Sequence, residues 1–253
     1  MKCPLGPAHN LAFLTPKLTL INMQLKPSPN ASWKPGDKIK PGFSDQIVLD
    51  PALISAADMY RVLIGTVTPR PIAFISTVSK AGAFNLAPFS FFNAISSDPP
   101  CLAVAISKRA NGARKDSHQN IVETGEFVVN IVNRWLLEPM VYSAGAFDPD
   151  IDEFSVTGLT RIASQRVKAP RVAESSVNFE CVLHRVVNLG DNETESATTL
   201  LIGRIVLVHC DAAAYANGRI DTDKIDPIGR LGGIEYALID EKCAVAVPSL
   251  VKS

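Results

Sequence analysis

The 253-residue chain is predicted to be mostly β, folded as one barrel-like domain with few helices. Three observations carry that reading. Five apolar runs, 71–78, 101–107, 126–132, 177–187 and 200–209, are each too short for an ordinary helix and are bounded by turn residues. Several of them are apolar on both faces, whereas a sheet wetted on one side would alternate. Such strands need a barrel interior on one side and a helix or second subunit on the other. No internal repeat or low-complexity tract interrupts 50–240, so one barrel is the simplest solution.

Taken in order, residues 1–49 are expected to form an extended or poorly ordered arm. Within it, 11–21 is apolar but is interrupted by Pro16 and Lys17 and is too short to span a membrane. Neither the flank nor the cleavage site of a secretory signal is convincing. Residues 24–45 are rich in Pro, Lys, Gly and Ser. The domain then occupies 50–240. Segment 55–64 is a short helix behind a serine cap, and Lys80-Ala81-Gly82 closes the first hairpin. Further helices are expected at 116–124 and 134–144, the latter interrupted by Pro139. Residues 241–253 form a tail.

Composition excludes several classes. Apolar residues make up 47% and the formal net charge is zero, so nothing draws the whole chain to nucleic acid or an acidic membrane. The five cysteines (Cys3, Cys101, Cys181, Cys210 and Cys243) are scattered, without a C-x-x-C pair. They suit neither a metal site nor a disulfide framework, and a cytoplasmic location is expected.

Three segments carry candidate chemistry. In the first, Thr66 to Val78, prolines flank Arg70 and a strand follows whose Ser76 and Thr77 hydroxyls suit the edge of a planar heteroaromatic or a ribityl chain. The same residues also suit an edge-strand start followed by core positions. In the second, 85–93, Pro88 argues against a helix or central strand, so a structured loop is expected. It offers Asn85, Ser90 and the rings of Phe89, Phe91 and Phe92 as an apolar wall with a few polar groups, or else it plugs a barrel end. In the third, 110–118, Asp116 reads as an N-cap with Gln119 three residues on and Gly125 at the helix end. Arg114 and Lys115 stand before that N-terminus, where free N–H groups, the dipole and two cations favour a phosphate. Two solvated charges on a capped helix would look the same.

The combination RPIAFISTV (70–78), NLAPFSFFN (85–93) before DPP (98–100), ARKDS (113–117), GEFVVNIV (125–132) and PIGRLGGIEY (227–236) resembles the flavin reductase-like, FMN-binding split-barrel family, in its flavoprotein oxygenase-associated branch. The likeness spans roughly 55–237. It implies a Greek-key split β-barrel, a homodimer and an FMN-dependent oxidoreductase that passes reducing equivalents to a small-molecule substrate or electron acceptor. Thr68, Pro69, Arg70, Ser76 and Thr77 would border the isoalloxazine ring and ribityl chain. Asn85, Ala87, Ser90, Phe91 and Phe92 would add contacts, and Arg114, Lys115, Asp116 and Ser117 would hold the phosphate. One departure stands out. The Gly-Asp-His signature that many of these reductases carry is absent from Ser196–Arg204, which leaves NAD(P)H open as the reductant and keeps a flavin carrier or electron-transfer protein as the alternative.

His184 and His209 lie in apolar strands and read as structural, leaving His118 as the plausible functional histidine. The acidic stretch 148–154 lacks the glycine and terminal glutamate of an EF-hand and is expected to be a solvated loop, as is 191–198. Lys34, Lys38 and Lys40 have no aromatic platform for nucleic acid.

Overall fold

In a computed structural model the chain is described over residues 25–148, 151–190 and 197–247. The arm to residue 24 and most of the 191–198 loop lie outside them. The described chain divides into two units, one of 25–42 with 240–247 and one of Phe43–Ile239. In the first, Lys26 N–H donates to the Lys242 carbonyl at 2.9 Å, and the Trp33 indole donates to the Asp37 carbonyl at 3.1 Å.

The second unit opens with α1 (Ala56–Thr66), whose N-cap Ser55 accepts from the Asp58 N–H. Strands β1 (Ala73–Val78), β2 (Phe84–Phe89), β3 (Phe92–Ser97) and β4 (Pro100–Ser107) follow. Helix α2 (Asp116–Thr124) leads through Gly125, at φ +74°, into β5 (Glu126–Ile131). Short α3 (Leu137–Ser143) and α4 (Glu153–Thr157), the ribbon β6 (Arg161–Ile162) with β7 (Arg171–Val172), and the long hairpin of β8 (Val177–Leu189) and β9 (Thr198–Cys210) come next. Two small ribbons end the unit: β10 (Tyr215–Ala216) with β11 (Arg219–Ile220), and, after α5 (Thr222–Ile225), β12 (Ile228–Arg230) with β13 (Tyr236–Leu238).

Seven strands form one antiparallel sheet in the order β2-β1-β5-β8-β9-β4-β3. Strands β2 and β3 occupy its opposite edges, yet only Ser90 and Phe91 separate them in sequence. The three steps from Phe89 to Phe92 span at most about 10 Å, so the sheet must curl until its edges approach. No ladder joins them. This is a barrel with an open seam, the split barrel that the sequence predicts.

The two faces of β1 explain its unbroken apolar run. Ala73 and Ile75 join the barrel interior with Leu102, Val104, Phe127, Val129 and Leu201, while Ile121 of α2 closes one end. Ile72 and Phe74 face outward onto Leu136, Met140 and Phe154, under α3 and α4. Gly203 on β9 admits the Phe127 ring, since a Cβ there would lie 2.3 Å from Phe127 Cζ.

Four local expectations are corrected. Residues 85–93 are not a loop, because β2 runs through Pro88. Its Leu86 N–H points away from β1 to the Glu153 carboxylate at 3.0 Å, and Pro88, two residues on, lies in the same outward register, so the missing N–H costs no ladder bond. Asp116 is not the N-cap: Lys115 holds that position, and Asp116 pairs instead with Arg109. Pro139 does not interrupt a helix but sits in the first turn of α3, where its missing N–H has no partner to lose. Finally, Glu153–Thr157 is helical, with Asp152 capping Phe154 N–H at 3.1 Å and Glu153 buried.

Candidate functional site

The N-terminus of α2 gathers positive charge. Its cap residue, Lys115, makes no side-chain cap bond, and its ammonium stands 5.3 Å over the Phe89 ring. Burial, and after it the nearby Arg109, push the Lys115 amine down. Arg109 is brought back by the turn in which its N–H bonds to the Ala113 carbonyl and is held by Asp116. Arg114 donates to Thr199 Oγ1 at 2.8 Å, and that hydroxyl is bonded to Asn188. Behind them His118 is buried with no partner for Nδ1, and burial and then Arg114 depress its basicity.

A polar quartet locks this helix to the sheet. Asn85 Nδ2 donates to Ser117 Oγ at 2.8 Å and to Thr77 Oγ1 at 3.4 Å, and Asn120 Nδ2 donates to Thr77 Oγ1 at 3.0 Å. All four side chains are buried, where unpaired polar groups would be costly. Ser76 and Thr77 point to opposite faces of β1, as neighbours in a strand must. Thr77 meets α2, while Ser76 donates to the Pro170 carbonyl and accepts from Asn130.

From Phe89 the chain passes through Ser90 to Phe91, whose ring lies 6.3 Å from that of Tyr60 on α1. Arg70 ties this corner together. It is 5% exposed and donates to the carbonyls of Ile64, Val67 and Leu231 at 2.7–2.8 Å and to Ser90 Oγ at 3.4 Å. Pro69 packs where a Cβ on Gly229 would stand. Lys115, Phe89, Ser90, Phe91 and Tyr60 thus form one continuous strip, cationic at one end and aromatic at the other.

Residues 65–223 match the Flavin reductase like domain. The chain belongs to that family. The flavin reductase-like likeness runs over nearly whole relatives. The uncharacterized protein YwrF of Bacillus subtilis is 41% identical over 78% of this chain and 96% of its own. Nitrilotriacetate monooxygenase component B from Bacillus cereus superposes with a TM-score of 0.77 at 36% identity, covering 80% of this chain and all of that one. The Pseudomonas fluorescens 2-nitrobenzoate 2-nitroreductase NbaA gives 0.72 at 27% identity, over 82% and 99%.

Of the residues singled out from sequence, Thr77, Asn85, Arg114, Lys115, Asp116 and Ser117 gather around the α2 N-terminus, and Pro69, Arg70, Ser90 and Phe91 around the aromatic corner. Ser76 stands on the far face of β1. Thr68 precedes the Pro69 turn, Ala87 lies in β2 against the barrel core, and Phe92 opens β3, packed against the same core. Sequence reasoning missed Arg109, Asn120 and Tyr60. The only signal for Arg109 was the tight N-G turn after it, which folds the chain back onto the helix start. His209 is structural as expected, its Nε2 2.5 Å from the buried Glu180. Among the described residues no cluster suits a metal, and no helix is long and apolar enough to cross a membrane.

Proposed function

We propose that this chain is an FMN-dependent oxidoreductase whose cofactor phosphate is held at the N-terminus of α2. The observation that carries the reading is the uncapped, cation-rich helix start with an ion-pair-free Lys115 and the unpartnered His118 Nδ1 behind it. Dianionic phosphate satisfies such a place by charge and by accepting N–H bonds. Lys115 and Arg114 would neutralise it, and the Ser117 hydroxyl, an acceptor from Asn85, retains its hydrogen to donate. The aromatic strip from Phe89 to Phe91 would border the ring system and exclude water. When bound, the flavin supplies hydride and single-electron chemistry; the residues described here orient it and hold its charge, and no acid–base dyad is demanded of them. The family match and the flavin- and redox-related neighbours support the same reading.

A titration of FMN into the protein, followed by flavin fluorescence, tests it. Lys115→Ala combined with Ser117→Ala should weaken FMN at least tenfold, or about 1.4 kcal/mol. Unchanged affinity would remove the phosphate assignment. The absent Gly-Asp-His favours a second reading, a flavin carrier or electron-transfer protein without its own NAD(P)H reductase activity. Anaerobic NADH or NADPH bleaching the bound flavin would reject it. We further propose a cytoplasmic homodimer. Exposed apolar side chains such as Ile47, Val48 and Ile234, each 88–92% accessible in the single chain, support self-association, and light scattering reads it directly.

A further inference from the structure

A buried nitrogen at the start of α2 has no partner. Lys115 is the cap, so Asp116, Ser117 and His118 are the first three helical residues. Two of their side chains are committed, Asp116 to Arg109 and Ser117 as the acceptor from Asn85. His118 is not. It is 9% exposed, and its Nδ1 is buried without a hydrogen bond. Such an orphan is rare in a native interior and costs free energy. Side chains of an α-helix lean toward its N-terminus, so a first-turn residue points back at the free N–H groups and at Arg114 and Lys115.

In the free protein the surroundings hold this ring neutral. Burial, and after it Arg114, depress its basicity. The strands packed on α2 offer little against them. Strands β1 and β2 carry no titratable side chain, and Glu126 of β5 accepts the Lys168 N–H at 2.8 Å. At the helix start itself stand Arg114, Lys115 and the Arg109–Asp116 pair, and Glu153 of α4 is close enough to Asp116 to feel its charge. A phosphate dianion reverses the field at the ring. Two negative charges favour the imidazolium, in which both nitrogens donate, and Nδ1 gains the acceptor it lacks.

We propose that His118 makes this site selective for a phosphorylated flavin, taking one proton from solvent as the dianion arrives and donating Nδ1–H to it. The inference rests on the flavin reading above and adds its regulation. The complex holds one proton more than its separated parts, so rising pH releases the cofactor.

Riboflavin, with the same ring and no phosphate, is the control. Above pH 7 the FMN phosphate is already mostly dianionic, the second pKa of such an ester being about 6, so proton uptake there belongs to the protein. Calorimetry of FMN binding to the full chain at pH 7.5, repeated in buffers of different ionisation enthalpy, is expected to show proton uptake, and riboflavin none. The ratio of FMN to riboflavin affinity should fall at least about threefold from pH 7 to pH 8, within the roughly tenfold that one coupled proton allows. His118→Asn keeps a hydrogen-bonding group near the Nδ1 position and cannot titrate, so it should lose the uptake and flatten the ratio. Uptake that persists in His118→Asn would pass the proton to another group, such as Lys115, and overturn the proposal. A ratio independent of pH in the wild type does the same. Should the variant fail to fold, the imidazole resonances of wild-type His118 decide, since the chain has only four histidines to assign. They must move from the neutral to the charged form with FMN and not with riboflavin; a ring that stays neutral overturns the proposal. Absence of binding by either flavin would remove the flavin reading and this inference together, whereas binding of both without proton uptake removes this inference alone.

Discussion

At the residue scale, close approach and buried charge set the strongest constraints. Gly203 sits under the Phe127 ring at a distance no Cβ can share. Gly203→Ala must push that ring off its rotamer inside a packed barrel, and overpacking of this kind costs roughly 1–3 kcal/mol, read as a lower urea midpoint at unchanged slope. Glu153 is the opposite case, a carboxylate in a place that disfavours its charge. Burial pushes its pKa up, opposed by the Leu86 and Glu153 N–H groups and aided by Asp116 and Asp152. A carboxyl with a raised native pKa binds more protons folded than unfolded, so its cost appears as pH rises above about 4.5 and is complete above the native value. Glu153→Gln keeps an acceptor for Leu86 and removes that cost. Denaturation from pH 4 to 8 should show the variant gaining on the wild type as pH rises, and a constant difference would refute the assignment. Glu180 differs again. Burial opposes its charge, but the N–H groups of Gln165 and Arg166 and the His209 ring more than compensate and hold its pKa below the ordinary range, so it is a fixed anchor for the 165–167 turn.

At the scale of elements, what was legible in sequence was what local rules decide. The two-faced apolar runs announced the strands, and Ser55 and Gly125 marked helix ends because capping depends on neighbouring residues. Gly125 adopts φ +74°, and Gly125→Ala should cost about 1 kcal/mol by forcing a Cβ into the left-handed region, visible as a lower thermal midpoint. What failed depended on partners distant in sequence. Pro88 argued for a loop only because nothing local says that β2 is an edge strand whose outward register needs no N–H. Asp116 looked like a cap until Arg109, seven residues earlier, was folded back to claim it. The cationic helix start was legible as a local cluster of Arg114 and Lys115. Its aromatic continuation was only half legible, since Tyr60 reaches Phe91 from another element. Ser76 and Thr77 looked alike in sequence but are separated by the pleat.

At the scale of the molecule, the open seam divides the sheet into unequal parts. Strands β1, β5, β8, β9 and β4 are paired on both sides, whereas β2 and β3 each have one bare edge. The Glu153 carboxylate and Pro88 blunt the edge of β2. That of β3, exposed along nearly its whole length, has no such cover in the single chain. Amide hydrogen exchange should follow this division, slowest in β5 and β8 and fastest along the free edge of β3. Uniform protection across all seven strands would mean that the seam is closed in solution.

The two-residue tie of Ser90 and Phe91 also bears on how the chain reaches this state. It holds the hairpins β1–β2 and β3–β4 side by side along the chain while five strands come between β2 and β3 in the sheet. Both hairpins can form at once from local contacts. The sheet that joins them must wait for β9 to pair with β4, which sets Cys101 opposite Arg204, about a hundred residues away along the chain, and such distant closures slow folding. Refolding is therefore expected to run in two stages, early hairpins and a late, rate-limiting arrival of the β8–β9 ribbon, which acts less as a wall of the barrel than as its clasp.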